Sequence, residues 1–159
     1  MKFTKTFEFQ QDVDTIFKAY TDKDFLQKKM EALGARNIKI LIEKNDGETK
    51  IKVTREMPAD VPRILKKMLN PWNKMIQKEI WTGEKGGPYY GILEIEVEGA
   101  PVSVKGEMKI ASKDSGSIAA NITDISTSIP FIGKSIKKFV AKASEEAIDQ
   151  EFDYVGQHA

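Results

Sequence analysis

Two reactive residue types are scarce in this chain of 159 residues, which contains no cysteine and a single histidine. Disulfides and thiolate nucleophiles are therefore excluded. His158 lies next to the last residue, where we do not expect a catalytic Ser–His or Cys–His pair. A zinc site would have to use carboxylates alone, which is uncommon, and no phosphate-binding or dinucleotide motif occurs. We expect no catalytic residue, no metal site and no cofactor.

Excess charge and long apolar runs are also lacking. The 25 basic and 24 acidic side chains leave a net charge of +1, so nothing in the overall charge favours nucleic acid as a partner. No apolar run approaches the roughly 20 residues that span a bilayer, and residues 1–5 alternate polar and apolar instead of resembling a signal peptide. We expect a cytoplasmic protein without stable membrane insertion, folded as one domain over 1–159. The sequence leaves the oligomeric state open.

The spacing of the apolar residues changes several times along the chain. Phe3, Phe7 and Phe9 alternate with polar residues, which predicts a strand. The period then becomes helical, with Asp12 and Asp22 placed to cap two short helices. Further on it returns to two, and turn-forming residues separate six strand-like segments. The prediction is a strand, helices near 13–20 and 25–33, six strands between about 37 and 127, a short helix near 61–69 among them, and a long amphipathic helix over about 131–154.

Alternation gives the predicted sheet one apolar and one polar face, as in an antiparallel sheet covered on one side. Glu94, Glu96 and Glu98 share the polar phase of one strand, so this group of carboxylates belongs to a solvated face. A sheet of this length has to curl around something, and only the terminal helix is long enough to fill it. We expect the sheet and that helix to enclose a cavity whose walls include Leu93, Ile95, Val104, Met108, Phe139 and Ala143.

Ala143 and Ala147 are small for positions that face a large sheet. They permit either a close approach of the helix to the sheet or room for a ligand. Close packing is the more common arrangement in protein interiors, but the sequence alone does not separate the two.

Short motifs accompany this order of elements: Thr21-Asp22 with Phe25, Leu33-Gly34, Glu79-Ile80-Trp81, Gly99-Ala100-Pro101-Val102 and Ile129-Pro130-Phe131-Ile132-Gly133. With them, nearly the whole chain resembles the START-like (SRPBCC) superfamily, which includes the birch-pollen-allergen family, and within it a bacterial family of unknown function. The resemblance implies an α+β helix-grip fold, in which a curved seven-stranded antiparallel sheet wraps around the C-terminal helix. It also implies a hydrophobic cavity but no particular activity, because carriers, cyclases and scaffolds share this fold.

Arg55 is the most informative polar residue, because it shares the apolar phase of Ile51 and Val53. A buried guanidinium needs a carboxylate or a ligand anion to offset its desolvation. If Glu79 and Trp81 also face inward, Glu79 lies on the neighbouring strand within reach of Arg55. The three residues then become candidate ligand contacts. The simpler interpretation is that Arg55 lies at the strand end and extends its charged group to water.

The charges of the terminal helix oppose its macrodipole, with lysines in the first half and carboxylates in the second. A solvated face with a small energetic penalty is the simpler interpretation. The alternative is a basic rim beside the cavity, through which Lys134, Lys137 and Lys138 make transient contact with an anionic membrane surface. The predicted helix at 61–69 has an apolar stripe formed by Val61, Ile64, Leu65 and Met68. Together with the nearby Trp72 it forms either a lid over the cavity or a plug at one end of the sheet.

Three functions remain open from the sequence. The first is non-enzymatic binding or transport of a small hydrophobic or amphipathic ligand, lipid-like or polyketide-like, which gains mainly from apolar burial in the cavity. The second is an enzyme of the cyclase or hydratase type, in which cavity arginine, glutamate or tyrosine groups such as Tyr89 and Tyr90 position a substrate. The third is an interaction module whose core is filled by side chains. We favour the first.

Overall fold

A computed structural model describes residues 1–159 and contains one antiparallel sheet with helices against one of its faces. The elements are β1 (Lys2–Phe9), α1 (Val13–Tyr20), α2 (Lys23–Ala32), β2 (Arg36–Asn45), β3 (Glu48–Pro58), a 3-10 turn (Arg63–Leu65), β4 (Trp72–Thr82), β5 (Tyr89–Val97), β6 (Val102–Lys113), β7 (Gly116–Thr127) and α3 (Gly133–His158). Across the sheet the strands follow the order β1-β7-β6-β5-β4-β3-β2. The predicted helix-grip fold is confirmed.

Local sequence signals position the two short helices. The Asp12 side chain accepts a hydrogen bond from the Thr15 N–H at 2.8 Å, and Asp22 accepts one from the Phe25 N–H at 2.9 Å. Both carboxylates therefore cap a first helical turn. α2 ends just before Gly34, whose φ of +92° is a conformation that glycine adopts without strain. The two helices lie where the sequence predicts them and pack against β6, β7 and β2.

The short helix predicted near 61–69 is reduced to the 3-10 turn at Arg63–Leu65. Pro62 lies inside the predicted helix with an extended ψ of 146°, and Pro71 disfavours the helical conformation at Asn70 before it. Leu65 and Leu69 are buried, which supports a plug at this end of the sheet. Ile64, which the sequence assigned to the apolar stripe, is instead 64% exposed.

α3 lies over the concave face of the sheet, closest to β7, β1 and α2. The Phe152 ring stacks on Phe7 of β1, with 5.6 Å between the ring centres. Lys5 of β1 forms an ion pair with Asp149, with 3.1 Å between the charged atoms. The C-terminal half of the helix is thus fastened to the edge of the sheet that carries β1.

The buried face of α3 differs from the predicted one. Ala143 and Ala147 were expected to face the sheet, but both are exposed. Since an α-helix has 3.6 residues per turn, the predicted stripe followed only one edge of the buried face. Ala143 is therefore not a wall residue of a cavity. Because both alanines face away from the sheet, their small size creates no room for a ligand between the helix and the sheet. The residues that α3 buries are Gly133, Ile136, Ala141, Phe152 and Val155.

The apolar side chains between the sheet and the helices form two clusters instead of one continuous core. The first cluster surrounds α1, α2 and the C-terminal half of α3, and the second surrounds the 3-10 turn and the N-terminal half of α3. The first includes Phe9, Ile16, Trp81, Ile110, Phe152 and Val155. The second includes Leu65, Val97, Val104, Ile125, Ile136 and Ala141.

Candidate functional site

A band of polar side chains, the polar belt, crosses the concave face between the two apolar clusters. On β4 it lies between Trp81 and Met75, and on β7 it lies between Ala119 and Ile125. The strand register connects the two stretches through Leu93 on β5 and Gly106 on β6, neither of which carries a polar side chain. All members of the belt are buried: Arg55, Gln77, Glu79, Asn121 and Thr123.

Two of the three guanidinium nitrogens of Arg55 are buried without a hydrogen-bond partner. The residue is 7% exposed, and its Nε and Nη1 have neither an acceptor nor access to solvent. Burial lowers the pKa of Arg55, while the carboxylates of Glu151 and Glu79 oppose that shift. Arg55 therefore stays inside the protein, and the interpretation that it extends to water is wrong.

Glu79 faces inward, but it does not form an ion pair with Arg55. Its Oε1 accepts a hydrogen bond from Trp81 Nε1 at 2.8 Å, and its Oε2 accepts one from Gln77 Nε2 at 2.7 Å. Burial raises the pKa of Glu79, and the charge of Lys29 and the two N–H donors act in the opposite direction. Each carboxylate oxygen is thus engaged by a neutral donor, which leaves Arg55 without the direct partner that the sequence suggested.

Three further residues join this buried cluster and were not singled out from the sequence. Lys29 of α2 lies with its Nζ 2.6 Å from Glu151 Oε1 on α3 and 5.0 Å from the centre of the Tyr20 ring. The Tyr20 hydroxyl is buried and has no partner. Burial, with the charges of Glu151 and Glu79, raises the pKa of Tyr20 well above its ordinary value. The hydroxyl therefore stays protonated and available as a donor.

The groups without partners in this cluster are all able to donate a hydrogen bond. Two cations, Arg55 and Lys29, accompany two carboxyl groups, Glu79 and Glu151, so the formal charges balance when Glu79 is ionised. A buried polar group left unpaired costs about 1–3 kcal/mol. The cluster therefore lacks a hydrogen-bond acceptor rather than a counter-charge.

The candidate contact Trp81 and two of the predicted wall residues lie on the concave face beside the polar belt. Trp81 is fully buried, and its indole ring lies so close to Gly91 that a Cβ added there would be 2.9 Å from it. Val104 and Met108 are buried on β6. Because glycine has no side chain, Gly91 leaves room for the Trp81 indole in the position from which it donates to Glu79.

Other predicted wall residues remain partly exposed although they face inward. Leu93 and Ile95 belong to β5, the central strand of the sheet, and alternate with outward-facing glutamates. Phe139 of α3 packs against the second cluster and is also only partly buried. The surface above the middle of the sheet is therefore not completely covered by side chains.

The sequence contained partial signals for some of the residues that it did not bring forward. Asn121 and Thr123 share the inward phase of β7 with apolar residues, and the Thr123 hydroxyl donates to Asn121 Oδ1 at 2.6 Å. Lys29 lies on the buried face of α2. A polar residue in an apolar phase was the signal in each case, as it was for Arg55. Tyr20 belongs to the apolar stripe of the first predicted helix, so the sequence indicated its burial but not its place in the cluster. Glu151 offered no such signal, because only tertiary packing makes it a member.

The two tyrosines considered for an enzyme lie elsewhere. Tyr89 donates its hydroxyl to Asp14 Oδ1 at 2.6 Å and stacks on Phe17 with 3.8 Å between ring centres. Burial and this hydrogen bond raise the pKa of Tyr89 to about 12. Tyr90 is 48% exposed on the outer face, so its expected cavity position is wrong. Nowhere do three or more carboxylate or imidazole groups converge as metal ligands do.

The reversed charge order of α3 has a structural explanation in its second half. Asp149 pairs with Lys5 of β1, and Glu151 pairs with Lys29 of α2. The carboxylates thus fasten the helix to neighbouring elements. Lys134, Lys137 and Lys138 in the first half form no ion pair.

Solved structures match this fold over nearly the whole chain. TTHA0849 from Thermus thermophilus has a TM-score of 0.66 at 9% identity, with 99% of this chain and 95% of that chain covered. Ara h 8.0201 has a TM-score of 0.58 at 20% identity, with 98% and 97% covered. A point mutant of Thalictrum flavum norcoclaurine synthase in complex with a transition state analogue has a TM-score of 0.58 at 17% identity, with 99% and 95% covered. This chain shares the helix-grip fold of these structures, as its sequence suggested.

The chain belongs to the family described as a protein of unknown function, DUF2505, whose family model matches residues 4–157. No curated protein gives a significant match. None of the helices is both long enough and apolar enough to cross a membrane.

Proposed function

We propose that the protein binds a small amphipathic molecule between the sheet and α3, without catalysing a reaction. The observation that carries this proposal is a pair of buried donors without hydrogen-bond partners, Arg55 in the polar belt and Tyr20 on α1. The ligand places an oxygen acceptor against these donors and its apolar body against the neighbouring apolar clusters. The ligand needs both a polar and an apolar part, because the belt is polar and the clusters on either side of it are apolar.

A neutral acceptor, such as the carbonyl oxygen of a ketone, an ester or a quinone, suits this cluster better than an acid does. The charges of Arg55 and Lys29 are already balanced by Glu79 and Glu151, so a further anion is repelled by both carboxylates. A carbonyl oxygen satisfies the donors without adding charge. It also recovers part of the free energy that unpaired buried donors cost.

The apolar body of the ligand is proposed to lie over Leu93 and Ile95 and beside Phe139. These residues face inward and are incompletely buried, so they have apolar surface left to cover. Each 100 Å² of apolar surface removed from water contributes about 2.5 kcal/mol. Trp81, Val104 and Met108 form the adjoining wall. Arg55 and Glu79 then fix the orientation of the polar end, Glu79 through its hold on Trp81 and Gln77.

One observation favours the enzymatic alternative: Glu79 is a buried carboxyl group with a raised pKa, which is common in active sites. Both of its oxygens, however, already accept hydrogen bonds within the protein. The norcoclaurine synthase structure of similar fold is a complex with a transition state analogue, so a protein of this fold accommodates a small organic molecule. Binding alone accounts for the unpaired donors, and we retain it as the proposal.

Amphipathic ligands of this kind reside mainly in membranes, so the proposal includes an encounter with one. Lys134, Lys137 and Lys138 lie without ion pairs on the first half of α3. They would make transient contact with an anionic membrane surface. The protein itself would remain outside the hydrocarbon region.

The direct test is native mass spectrometry of gently purified protein, followed by organic extraction of any molecule that it carries. We expect a carbonyl-bearing apolar molecule on the native protein and a strongly reduced amount on Arg55→Met. Lys52→Met, on the outward face of the same strand, is the matched control and should carry as much as the native chain. A mass without ligand from every expression host, together with no binding of added ketones, would falsify the proposal and favour a filled core.

A further inference from the structure

One end of the molecule collects the connections that leave the same edge of the strands. The register pairs Pro58 with Trp72, Met75 with Val97 and Val102 with Thr127. The connections at 59–71, 98–101 and 128–132 therefore lie together at one end of the sheet. The first half of α3, residues 133–143, starts from the same end. These four segments are called the basic end below.

The charge of the basic end differs strongly from that of the whole chain. It carries seven basic side chains and only two acidic ones, Asp60 and Glu98, although the net charge of the protein is +1. Glu98 is already paired with Lys74 at 3.4 Å. None of the seven takes part in an ion pair: Arg63, Lys66, Lys67, Lys134, Lys137, Lys138 and Lys142.

Two apolar side chains project from this basic surface. Phe131, in the connection before α3, is fully exposed and has a φ of +68°, a conformation that non-glycine residues rarely adopt. Ile64, in the 3-10 turn, is 64% exposed. A solvent-open pocket of about 570 Å³ adjoins Phe131 and is lined by Met1, Ile129, Lys134 and Lys137 among others.

The two projecting side chains belong to segments that share one apolar cluster. Leu65 and Leu69 beneath Ile64 lie in the second cluster together with Ile136 and Ala141 of α3. The connection at 59–71 and the start of α3 are thus parts of one packed unit. The basic side chains and the two exposed apolar side chains of these segments are therefore carried by the same packed part of the protein.

We propose that the basic end docks on the surface of an anionic phospholipid bilayer, with Phe131 and Ile64 entering the headgroup layer. Unpaired lysines are attracted to acidic lipids, and each contributes about a fivefold gain in affinity near the surface. Projecting apolar side chains gain by leaving water at the interface. A nucleic acid accounts for the cations but not for two separate exposed apolar tips. The proposal rests on the membrane contact proposed above and extends it from three lysines to two chain segments.

Vesicle sedimentation tests whether the two-segment surface or only the three lysines of α3 bind the membrane. One set of vesicles contains phosphatidylcholine alone, and the other contains phosphatidylcholine mixed with phosphatidylserine. We expect binding only to the acidic vesicles, weakened by salt. Replacing Arg63, Lys66 and Lys67 together by glutamine should weaken binding by roughly a hundredfold, and so should the same change at Lys134, Lys137 and Lys138. Phe131→Asn, in which asparagine tolerates the positive φ, should weaken binding severalfold. The matched control replaces Lys52, Lys78 and Lys105, three exposed lysines of the outward sheet face, and should bind as the native protein does.

Each other outcome contradicts a defined part of the proposal. If only the α3 substitutions weaken binding, the two-segment surface is wrong and the three-lysine contact survives. If the control weakens binding as much as the other triple changes, the attraction is unspecific and both are wrong. If the native protein ignores acidic vesicles, membrane docking fails altogether. Ligand binding is still decided separately, by mass spectrometry.

Discussion

Arg55 is a buried cation, and its Nε and Nη1 donate no hydrogen bond within the protein. Such an arrangement lowers the stability of the fold unless a ligand accepts these hydrogen bonds. The side chain is 7% exposed, and its neighbours Glu79 and Gln77 are already bonded to each other. Unpaired buried polar groups persist in proteins mainly where they serve a function. The residue is therefore expected to oppose stability in the absence of a ligand and to favour affinity in its presence.

Replacing Arg55 by methionine tests that expectation on the ligand-free protein. Methionine keeps the apolar stem of the side chain and removes the unpaired buried donors, so the free energy of unfolding should stay the same or rise by about 1 kcal/mol. Chemical denaturation measures the change, and Lys52→Met on the exposed face of the same strand should lie within about 0.5 kcal/mol of the native value. A loss of several kcal/mol in Arg55→Met alone would show that Arg55 is a structural residue.

Glu79 predicts a specific dependence of stability on pH. Its pKa is raised in the folded state, so the folded protein binds a proton where the unfolded chain has already released it. Below the unfolded pKa, near 4.5, both states are protonated. Stability contributed by this group is therefore lost as the pH rises from that value through the raised folded pKa. Glu79→Gln should remove this loss when unfolding free energies are measured across that range.

A matched control for Glu79→Gln is Glu94→Gln on the exposed face of β5. It removes one carboxylate from the net charge without touching the polar belt. If both variants change the slope of stability against pH equally, the effect comes from net charge and not from the buried position of Glu79.

Single residues show how far alternation in a strand can be trusted. It predicted correctly that Arg55, Glu79 and Trp81 face inward. It did not reveal whether the guanidinium reaches water, because that depends on tertiary packing, which brings Arg55 near the charges of Glu79 and of Glu151 on α3. Burial at a strand end is a tertiary property that no local pattern contains.

At the scale of elements, α3 shows what a helical pattern leaves open. Its existence and approximate start were predictable, and the helix spans Gly133–His158. Its apolar residues are sparse in the middle, so a stripe through Ala143 and Ala147 was as consistent with the spacing as the true face through Ala141 and Phe152. Packing against β1, β7 and α2 selects the face, and the sequence alone could not.

The orientation of α3 is tested by two alanines that differ by two positions. Ala141 is 5% exposed in the second apolar cluster, so Ala141→Glu should bury an unpaired charge and lower the free energy of unfolding by about 2–4 kcal/mol. Ala143 is exposed, and Ala143→Glu should change it by less than about 0.5 kcal/mol. Thermal or chemical unfolding compares the two. Equal destabilisation by both would mean that α3 is rotated from the orientation described above.

The segment at 59–71 also shows that a helical pattern does not determine which residues are buried. The sequence predicted a helical stripe there, and the structure has only the turn at Arg63–Leu65. Leu65 still packs inward as predicted, whereas Ile64 becomes an exposed tip. The error in secondary structure is small, but it concealed the surface from which we infer membrane docking.

At the scale of the whole molecule, the core is divided and the charge is unevenly distributed. Two apolar clusters flank a buried polar belt, and the basic end lies beside the second cluster. The order of elements and the helix-grip fold could be predicted, because period, caps and turn residues all agreed. The belt and the basic end could not, since each is assembled from elements distant in sequence.

A titration followed by the fluorescence of Trp81 tests the central claim most directly. Trp72→Phe leaves Trp81, which is fully buried and bonded to Glu79, as the remaining tryptophan. The probes are a medium-chain methyl ketone and the alkane and fatty acid of equal length. Binding between the sheet and α3 predicts a saturable change in emission with the ketone, at least tenfold weaker affinity for the other two, and loss of that preference in Arg55→Met. The absence of a saturable change with every probe, or equal affinity for ketone and alkane, would contradict a ligand held by the polar belt.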